Sequence, residues 1–210
     1  MDPYTHIIKT WDSLGKAYEE KFMGLNDYNE SYDLFLSALK DERAELLEIA
    51  CGPGMISKYL LTKYPSLKIM ATDASPYMLQ LTKKNCPAAD TFLLDCRDLG
   101  QLRSSYDGIL CGFALPYLKK EDMIALIKEI SLHLNSGGIL YLSALEGDHA
   151  SSRSVKSSDG KNEMMNYYYS EQDLHKHLQV NKLEIIHTLR LSSLTNPSSP
   201  PQLILIARKK

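Results

Sequence analysis

The chain has 210 residues, of which 44% are hydrophobic and 24% charged, and its formal net charge is −2. This composition fits one globular domain with a substantial core, and the nearly balanced charge gives no electrostatic reason to expect a nucleic acid or an acidic membrane as partner. No apolar run approaches the roughly 20 residues of a membrane span. The four cysteines include no CxxC pair, which argues against a zinc site, and the start has no signal-peptide pattern. We therefore expect a soluble, cytoplasmic protein.

The predicted elements begin with a helical region and then alternate between strands and helices. Apolar residues recur at helical spacing over residues 7–40, with breaks expected near Gly15, Gly24 and Asn26. Short apolar runs then predict five strands, at 46–50, 68–72, 91–94, 106–111 and 139–145. Helical spacing and capping residues predict three helices between them, at 55–63, 76–84 and 122–134. This alternation predicts a parallel sheet that is covered by helices on both faces.

The last third of the chain follows a different pattern. Residues 146–166 are rich in Ser, Asp, Gly and Lys and predict a mobile loop. A helix-capping pattern follows at 170–173, and two further strands are predicted at 183–191 and 202–207. Their short Ser/Pro-rich link allows an antiparallel pair, so the sheet should be mixed at one edge. We expect one domain, with a helical part at 1–42, a core at 43–145, the mobile loop, and a C-terminal helix and edge hairpin at 167–210.

A glycine turn carries the strongest chemical signal. The sequence EIACGPG at 48–54 lies between a predicted strand and a predicted helix. Gly52 and Gly54 allow a tight turn with room for a ligand against the main chain, and the helix N-terminus offers unpaired N–H groups. Asp73 ends the next strand, where a carboxylate can accept hydrogen bonds from both hydroxyls of a ribose. These features suit dinucleotide-binding and S-adenosylmethionine-binding proteins alike.

Three further features separate these two classes. Glu48 stands ahead of the glycines, Asp95 ends the third strand where a carboxylate can meet an adenine amine, and the last two strands form an antiparallel edge. With these features the chain resembles the class I S-adenosylmethionine-dependent methyltransferases, whose first motif has an acidic residue followed by alternating glycines. Ala50 stands here in place of the usual first glycine. The resemblance covers 46–145 well, and the N-terminal helices and the segment 167–207 also fit the family.

The resemblance implies an α/β fold with a Rossmann-like seven-stranded mixed sheet in the order 3-2-1-4-5-7-6. Strand 7 is antiparallel, helices cover both faces, and an N-terminal helical cap lies over the site. It also implies methyl transfer from S-adenosyl-L-methionine by in-line displacement. The sequence FALPY at 113–117 lacks the motif of DNA adenine methylases, and we expect a small-molecule acceptor by elimination. We further expect no nucleic-acid or membrane partner, and a monomer or homodimer.

Carried over to this sequence, the resemblance implies twelve cofactor-binding residues: Tyr18, Glu48, Ala50, Gly52, Gly54, Asp73, Ala74, Met78, Asp95, Cys96, Cys111 and Phe113. Among them Asp73 would bind the ribose, Asp95 would read the adenine edge, and Tyr18 would close over the sulfonium. For each of these three residues the sequence also allows a role that involves no ligand. Asp73 could cap a helix, Asp95 could be a solvated strand end, and Tyr18 could be a core aromatic.

The sequence shows no convincing catalytic constellation. Methyl transfer from a sulfonium mainly needs alignment, and it needs a base only when the acceptor arrives protonated with a high pKa. His149 and Glu146 after the fifth strand, and Tyr117 after the fourth, are candidates for contact with the acceptor, although His149 also fits an exposed loop histidine. No metal-binding motif occurs. Two alternatives stay open: an NAD(P)-dependent oxidoreductase, which would have a third glycine where Ser57 stands, and a non-catalytic S-adenosylmethionine-binding partner subunit.

Overall fold

A computed structural model describes residue 2 and residues 4–157, 160–192 and 200–210. The α-helices of these ranges are α1 (Tyr4–Phe22), α2 (Asn29–Ala38), α3 (Met55–Lys63), α4 (Pro76–Asn85), α5 (Lys120–His133) and α6 (Glu171–Val180). The strands are β1 (Glu45–Ile49), β2 (Lys68–Asp73), β3 (Asp90–Leu93), β4 (Tyr106–Cys111), β5 (Leu134–Leu145), β6 (Arg153–Lys156), β7 (Glu163–Asn166), β8 (Leu183–Leu191) and β9 (Gln202–Lys209). Short 3-10 helices lie at Cys96–Gln101, Leu115–Tyr117 and His149–Ser151.

Seven strands form one mixed sheet in the order β3-β2-β1-β4-β5-β9-β8. β1 pairs in parallel with β2 and β4, and β9 is antiparallel to both of its neighbours. Because β8 and β9 are the sixth and seventh predicted strands, the order 3-2-1-4-5-7-6 is confirmed. The register pairs Ile49 with Thr72 and with Cys111, so β1, β2 and β4 end at the same edge of the sheet.

Buried side chains form two cores, one on each face of this sheet. Alternation along β1 explains the division, because Leu47 and Ile49 face one core and Leu46 faces the other. The first core is completed by the apolar stripe of α5, and the second by α2 and α3. Because helices cover both faces of the sheet, the central strands carry buried apolar side chains on both faces.

The N-terminal helix α1 packs across α4. Gly15 does not break α1 as expected: it is buried inside the helix, and a Cβ there would lie 2.7 Å from the ring of Tyr77. The absence of a side chain at Gly15 allows α1 and α4 to pack closely, and it does not produce a turn. Asp12 accepts hydrogen bonds from the Ser75 hydroxyl and from the backbone N–H of Tyr77, and Glu19 accepts one from Asn85. α1 is thus attached to the second βα unit along its length.

The segment 146–166 departs from the predicted loop, because β6 and β7 within it pair as an antiparallel two-stranded sheet. Its polar composition hid the pairing, since only Met164 of these eight strand residues is buried. The mobility of the segment stays a prediction. Residues 158–159 of this segment, and 193–199 of the Ser/Pro-rich link, lie outside the described residues. No helix in the described ranges has the length and apolar character needed to cross a bilayer.

Candidate functional site

The glycine turn after β1 holds three residues in the left-handed region of backbone conformation. The φ angles are 53° at Ala50, 56° at Gly52 and 85° at Gly54. A Cβ at Gly54 would lie 3.1 Å from a methyl group of Thr82 on α4, whereas a Cβ at Gly52 would meet nothing within 4 Å. Gly54 therefore permits helix packing, while Gly52 leaves open space on the ligand side of the turn.

Two residues at this edge of the sheet have a positive φ without being glycine. Ala50 occupies the position of the family's first glycine and keeps the left-handed backbone, and Phe113 after β4 has a φ of 64°. The Phe113 N–H donates a hydrogen bond to the Ser143 hydroxyl at 2.8 Å, which fixes this backbone. Such conformations cost about 1–3 kcal/mol each and concentrate at ligand sites.

Glu48 lies beneath the glycine turn with only 1% of its surface exposed. Its Oε2 accepts hydrogen bonds from the Ser57 N–H at 3.0 Å and from the Ser57 hydroxyl, so the carboxyl group caps the first turn of α3. Burial raises the pKa of Glu48 to about 7, and the hydrogen bonds from Ser57 only partly oppose this shift. Glu48 therefore holds the turn against the helix, which is one of the roles that the family resemblance implies for it.

The Asp73 carboxylate links the turn after β1 to the residues after β2 by hydrogen bonds. Its Oδ2 accepts a hydrogen bond from the Gly52 N–H at 2.9 Å, and its Oδ1 accepts one from the Ser75 N–H at 2.8 Å. Burial raises its pKa, and the two backbone donors work in the opposite direction. A half-buried carboxylate held in place by backbone donors beside an open glycine is a fixed acceptor for polar groups of a ligand.

Asp95 lies at the end of β3 and is bound by Arg97. Its Oδ1 accepts from the Arg97 N–H at 2.9 Å and from Nε at 3.0 Å, and its Oδ2 accepts from Nη2 at 2.6 Å. The same guanidinium donates to Asp2 at 2.7 Å and lies 4.0 Å from the centre of the Tyr4 ring. Asp95 is therefore neither a solvated strand end nor free of partners.

These groups surround a cavity of about 150 Å³ between the strand ends and α1. Its wall contains ten of the twelve predicted cofactor-binding residues: Tyr18, Glu48, Ala50, Gly52, Asp73, Ala74, Met78, Asp95, Cys96 and Phe113. The other two lie off the wall. Gly54 packs against Thr82, and Cys111 is fully buried behind Gly112, which takes its place on the wall. Whether the ten bind a cofactor stays a prediction.

One side of the cavity is aromatic. We call Trp11, Tyr18, Phe113 and Tyr117 the aromatic wall. The Trp11 ring meets Tyr18 edge-on at 5.2 Å and Tyr117 at 5.5 Å. Burial raises the pKa of Tyr117 and of Tyr18 above the usual range of a phenol. Sequence reasoning missed Trp11, although it is the chain's single tryptophan and shares a helix with Tyr18.

Charge on the cavity wall has one sign. The described wall residues include the carboxyl groups of Glu48, Asp73 and Asp95, and none of them is Lys, Arg or His. The Asp73 carboxylate and the faces of the aromatic rings favour a cationic ligand, because both attract positive charge, whereas Glu48 keeps its proton up to about pH 7 and Arg97 offsets the charge of Asp95.

Two of the three candidates for acceptor contact lie away from this cavity. The His149 ring stacks on Tyr167 at 5.8 Å, and Glu146 is bound by Arg190 through two contacts of 2.8 Å. Neither residue lines the cavity, whereas Tyr117 does. Within the described part of the chain, no three His, Cys, Asp or Glu residues form a group that could hold a metal ion.

Comparison with known proteins gives a family match for the part of the chain that contains β1 to β4. Residues 46–138 match the family described as "Methyltransferase domain". Trans-aconitate 2-methyltransferase of Azoarcus sp. (strain BH72) is 25% identical over 156 residues, which are 73% of this chain and 58% of that protein. The chain thus spans less than two thirds of this relative's length.

Two solved structures share the fold. One is magnesium protoporphyrin IX methyltransferase from Synechocystis PCC 6803 with bound SAH, with a TM-score of 0.77, 17% identity and coverage of 100% of each chain. The other is Burkholderia thailandensis 1,6-didemethyltoxoflavin-N1-methyltransferase with S-adenosylhomocysteine, with a TM-score of 0.76, 15% identity and coverage of 98% and 88%. Sequence match, strand order and glycine turn agree. Together they support a class I S-adenosylmethionine-dependent methyltransferase domain, with the family match extending over residues 46–138.

Proposed function

We propose that this protein transfers the methyl group of S-adenosyl-L-methionine to a small-molecule acceptor. One observation carries the proposal: a cavity at the strand ends combines three carboxyl groups with an aromatic wall and has no cationic residue in its described lining. S-adenosylmethionine is a cation at its sulfonium, and such a lining suits it. The relatives named for trans-aconitate and 1,6-didemethyltoxoflavin support a small acceptor.

The same site is poorly suited to a dinucleotide. Pyrophosphate binds at a helix N-terminus through free N–H groups and favourable charge. At the start of α3 the Ser57 N–H is already bonded to the Glu48 carboxyl group, which would repel a phosphate if ionised. This arrangement supports a methyl donor over NAD(P), the ligand of the alternative oxidoreductase.

We propose these roles for the wall residues. Asp73 binds the ribose hydroxyls, Asp95 accepts from the adenine amine, and Gly52 leaves room for the methionine portion. The aromatic wall surrounds the sulfonium and excludes water. When bound, S-adenosylmethionine supplies an activated methyl group, so the protein's main task is alignment. We also propose a cytoplasmic monomer or homodimer that acts without a nucleic-acid or membrane partner, in keeping with the net charge of −2.

Thermal-shift and calorimetric titration with S-adenosylhomocysteine, NAD⁺ and NADP⁺ test the cofactor. A ligand at a hundredfold excess over its Kd stabilises the folded state by about 2.7 kcal/mol. We expect this response with S-adenosylhomocysteine alone. Stabilisation by NAD⁺ or NADP⁺ alone would favour the oxidoreductase. Tight binding of S-adenosylhomocysteine with no turnover of labelled S-adenosylmethionine on any acceptor would favour the non-catalytic partner subunit.

A further inference from the structure

A second cavity, of about 110 Å³, lies beside the first. Tyr4, Ile7 and Tyr117 line both cavities, so these three side chains stand between them. The second cavity is also lined by Met164 and Met165 of β7. An acceptor held in the second cavity would therefore meet a methyl donor in the first at the side chains that the two cavities share.

The hydroxyl of Tyr4, one of these shared residues, has a carboxylate as partner. It donates a hydrogen bond to Oδ2 of Asp122 and accepts one from the Lys119 backbone N–H at 3.0 Å. Tyr4 is 7% exposed, whereas Asp122, in the first turn of α5, is partly exposed. A hydroxyl oxygen can accept two hydrogen bonds, so one acceptor site on Tyr4 remains for a ligand. The Tyr4–Asp122 pair thus connects the boundary between the cavities with a carboxylate that reaches solvent.

The ring of Tyr4 packs against a guanidinium that is itself bound. Arg97 lies 4.0 Å from the ring centre and donates to Asp2 at 2.7 Å. Other ionisable groups near Tyr4 include Tyr167 and Tyr169. Burial raises the pKa of Tyr4, and the contact with Asp122 raises it further. Because a free phenolate is disfavoured here, Tyr4 can take a proton only while it passes its own to Asp122.

Resting on the proposed function, we propose that Tyr4 is a catalytic residue that takes the proton of an acceptor with an O–H or N–H group and passes its own proton to Asp122. A lone pair on the acceptor forms a bond to the methyl carbon while the methyl–sulfur bond breaks, and the electron pair of that bond stays on sulfur. The acceptor proton moves to Oη of Tyr4, the Tyr4 proton moves to the Asp122 carboxylate, and Asp122 releases it to water. The products are the methylated acceptor, S-adenosylhomocysteine and one proton. Asp122 acts through Tyr4 and is a positioning residue.

Three other side chains on the cavity walls can also take a proton. Glu48 lines only the first cavity, where its Oε2 accepts from Ser57 beneath the glycine turn. His6 and Glu163 line only the second cavity, and both are exposed. Tyr4 lies between the cavities and these three do not, so the geometry favours Tyr4. They are the rival bases that the experiment has to compare with it.

The first measurement compares four acceptors that share a bicyclic ring. Full-length protein is incubated at pH 7 with methyl-tritiated S-adenosylmethionine and with one of them. The phenol 2-naphthol and the lactam 2-quinolone lose a proton on methylation, whereas isoquinoline and 2-naphthoate react through a lone pair and lose none. We expect the wild type to methylate at least one of the first two. A wild type that methylates isoquinoline or 2-naphthoate alone overturns the proposal.

Tyr4→Phe keeps the ring against Arg97 and removes the hydroxyl. It should lower kcat with 2-naphthol or 2-quinolone by about 100-fold, a usual contribution of proton transfer by a side chain. With isoquinoline or 2-naphthoate kcat should stay within about threefold, since these acceptors lose no proton. Tyr77→Phe, which removes a phenol on α4 outside both cavities, is the matched control and should change nothing. Equal losses with all acceptors, or no loss with the first two, contradict the role of Tyr4.

The second measurement follows kcat/KM with 2-naphthol from pH 7 to 9. Asp122→Asn keeps an oxygen that can accept from the Tyr4 hydroxyl but cannot take its proton. Its kcat/KM should rise about tenfold per pH unit, because it depends on the ionised fraction of a phenol that titrates near pH 10. The wild type should stay nearly flat, and Asp122→Glu should restore part of the rate at pH 7. Glu121→Gln, exposed in the same helical turn, is the matched control, and a flat profile in Asp122→Asn contradicts the proposal.

The rival bases are tested with the same pH profile. His6→Gln, Glu163→Gln and Glu48→Gln should each keep the nearly flat profile, whatever they do to the rate itself. A rise of about tenfold per pH unit in one of them, with a flat profile in Tyr4→Phe, identifies that residue as the base and overturns the proposal.

Failure of the proposed function gives a different result. A wild type that transfers label to none of the acceptors contradicts the proposed function together with the role of Tyr4. Turnover that is insensitive to Tyr4 and Asp122 refutes only that role. The variants of both residues should bind S-adenosylhomocysteine as the wild type does in calorimetry, which shows that they are folded. If Tyr4→Phe does not fold, Asp122→Asn, which lies outside both cavity walls, decides the question.

Discussion

Replacement of Glu48 by glutamine should remove a pH dependence of stability that the buried carboxyl group creates. The pKa of Glu48 is raised from 4.5 to about 7 in the folded protein, mainly by burial. Between these values the native state keeps the proton that the unfolded chain has lost. The free energy of unfolding of the wild type therefore falls as pH rises through this window, and above pH 7 the loss is complete. A shift of this size corresponds to a loss of about 3 kcal/mol.

Glu48→Gln keeps an oxygen that can accept from the Ser57 N–H and has no charge to lose. Urea denaturation of both proteins at pH 5, 6, 7 and 8 isolates the effect, since the other ionisable groups largely cancel in the difference. We expect the variant to gain stability relative to the wild type by about 3 kcal/mol across the window, most of it between pH 5 and 7. Glu45→Gln, which alters an exposed carboxyl group on the same strand, serves as the control. Parallel curves for the wild type and Glu48→Gln would refute the reasoning.

Three other perturbations test the site and the hairpin. Asp73→Ala should weaken S-adenosylhomocysteine binding by about 1–3 kcal/mol, because it removes an acceptor for the ribose and leaves the Gly52 N–H unpaired; unchanged affinity in calorimetry would take Asp73 out of the site. Ala50→Gly should keep the free energy of unfolding or raise it by up to about 1 kcal/mol, since its φ is 53°. Ala71→Gly on buried β2 should instead lower it by about 1 kcal/mol, and equal losses in urea denaturation would contradict this. Amide exchange over 153–157 and 160–166 should slow when cofactor and acceptor bind; equally fast exchange with both ligands would count against a lid.

Local sequence patterns were enough to predict the central sheet. The strands β1, β2 and β4 are short apolar runs bounded by turn residues, and parallel strands of this kind have few alternative arrangements. β5 begins at Leu134 rather than at the predicted residue 139, so it includes the residues that were expected to end α5. The glycine turn was predicted for the same reason, because a left-handed backbone at Gly52 and Gly54 has a direct local cause. Strand order came from the family resemblance, and the structure confirms it.

The parts that sequence patterns missed depend on contacts between distant residues. Gly15 was expected to break α1, but it faces Tyr77, 62 positions away, and nothing near it in sequence indicates that contact. The β6–β7 pair has exposed polar side chains at four of its eight positions, and it lacks the alternation that indicates a strand. Trp11 joins the cavity only because α1 crosses α4. In each case tertiary packing, rather than local preference, sets the structure.

The backbone conformation of Ala50 is set by the turn around it and not by the preference of alanine. A left-handed alanine is unfavourable on its own, by about 1–2 kcal/mol. It persists because the flanking groups are fixed: Cys51 donates its N–H to the carbonyl oxygen of Thr72, and Glu48 is bound to Ser57. Ala50 thus adopts a left-handed backbone that glycine would adopt at no steric cost.

The number of lone pairs that remain on Asp73 and Asp95 determines whether these carboxylates can still accept hydrogen bonds from a ligand. Each carboxylate oxygen can accept about two hydrogen bonds. Each oxygen of Asp73 accepts one backbone N–H, from Gly52 or from Ser75, so one further site remains on each, in keeping with two ribose hydroxyls. Asp95 accepts three bonds from Arg97, two on Oδ1 and one on Oδ2, which leaves a single site on Oδ2 for one donor such as the adenine amine. Because the same guanidinium binds Asp2, the residues just after β3 and those just before α1 form one hydrogen-bonded unit.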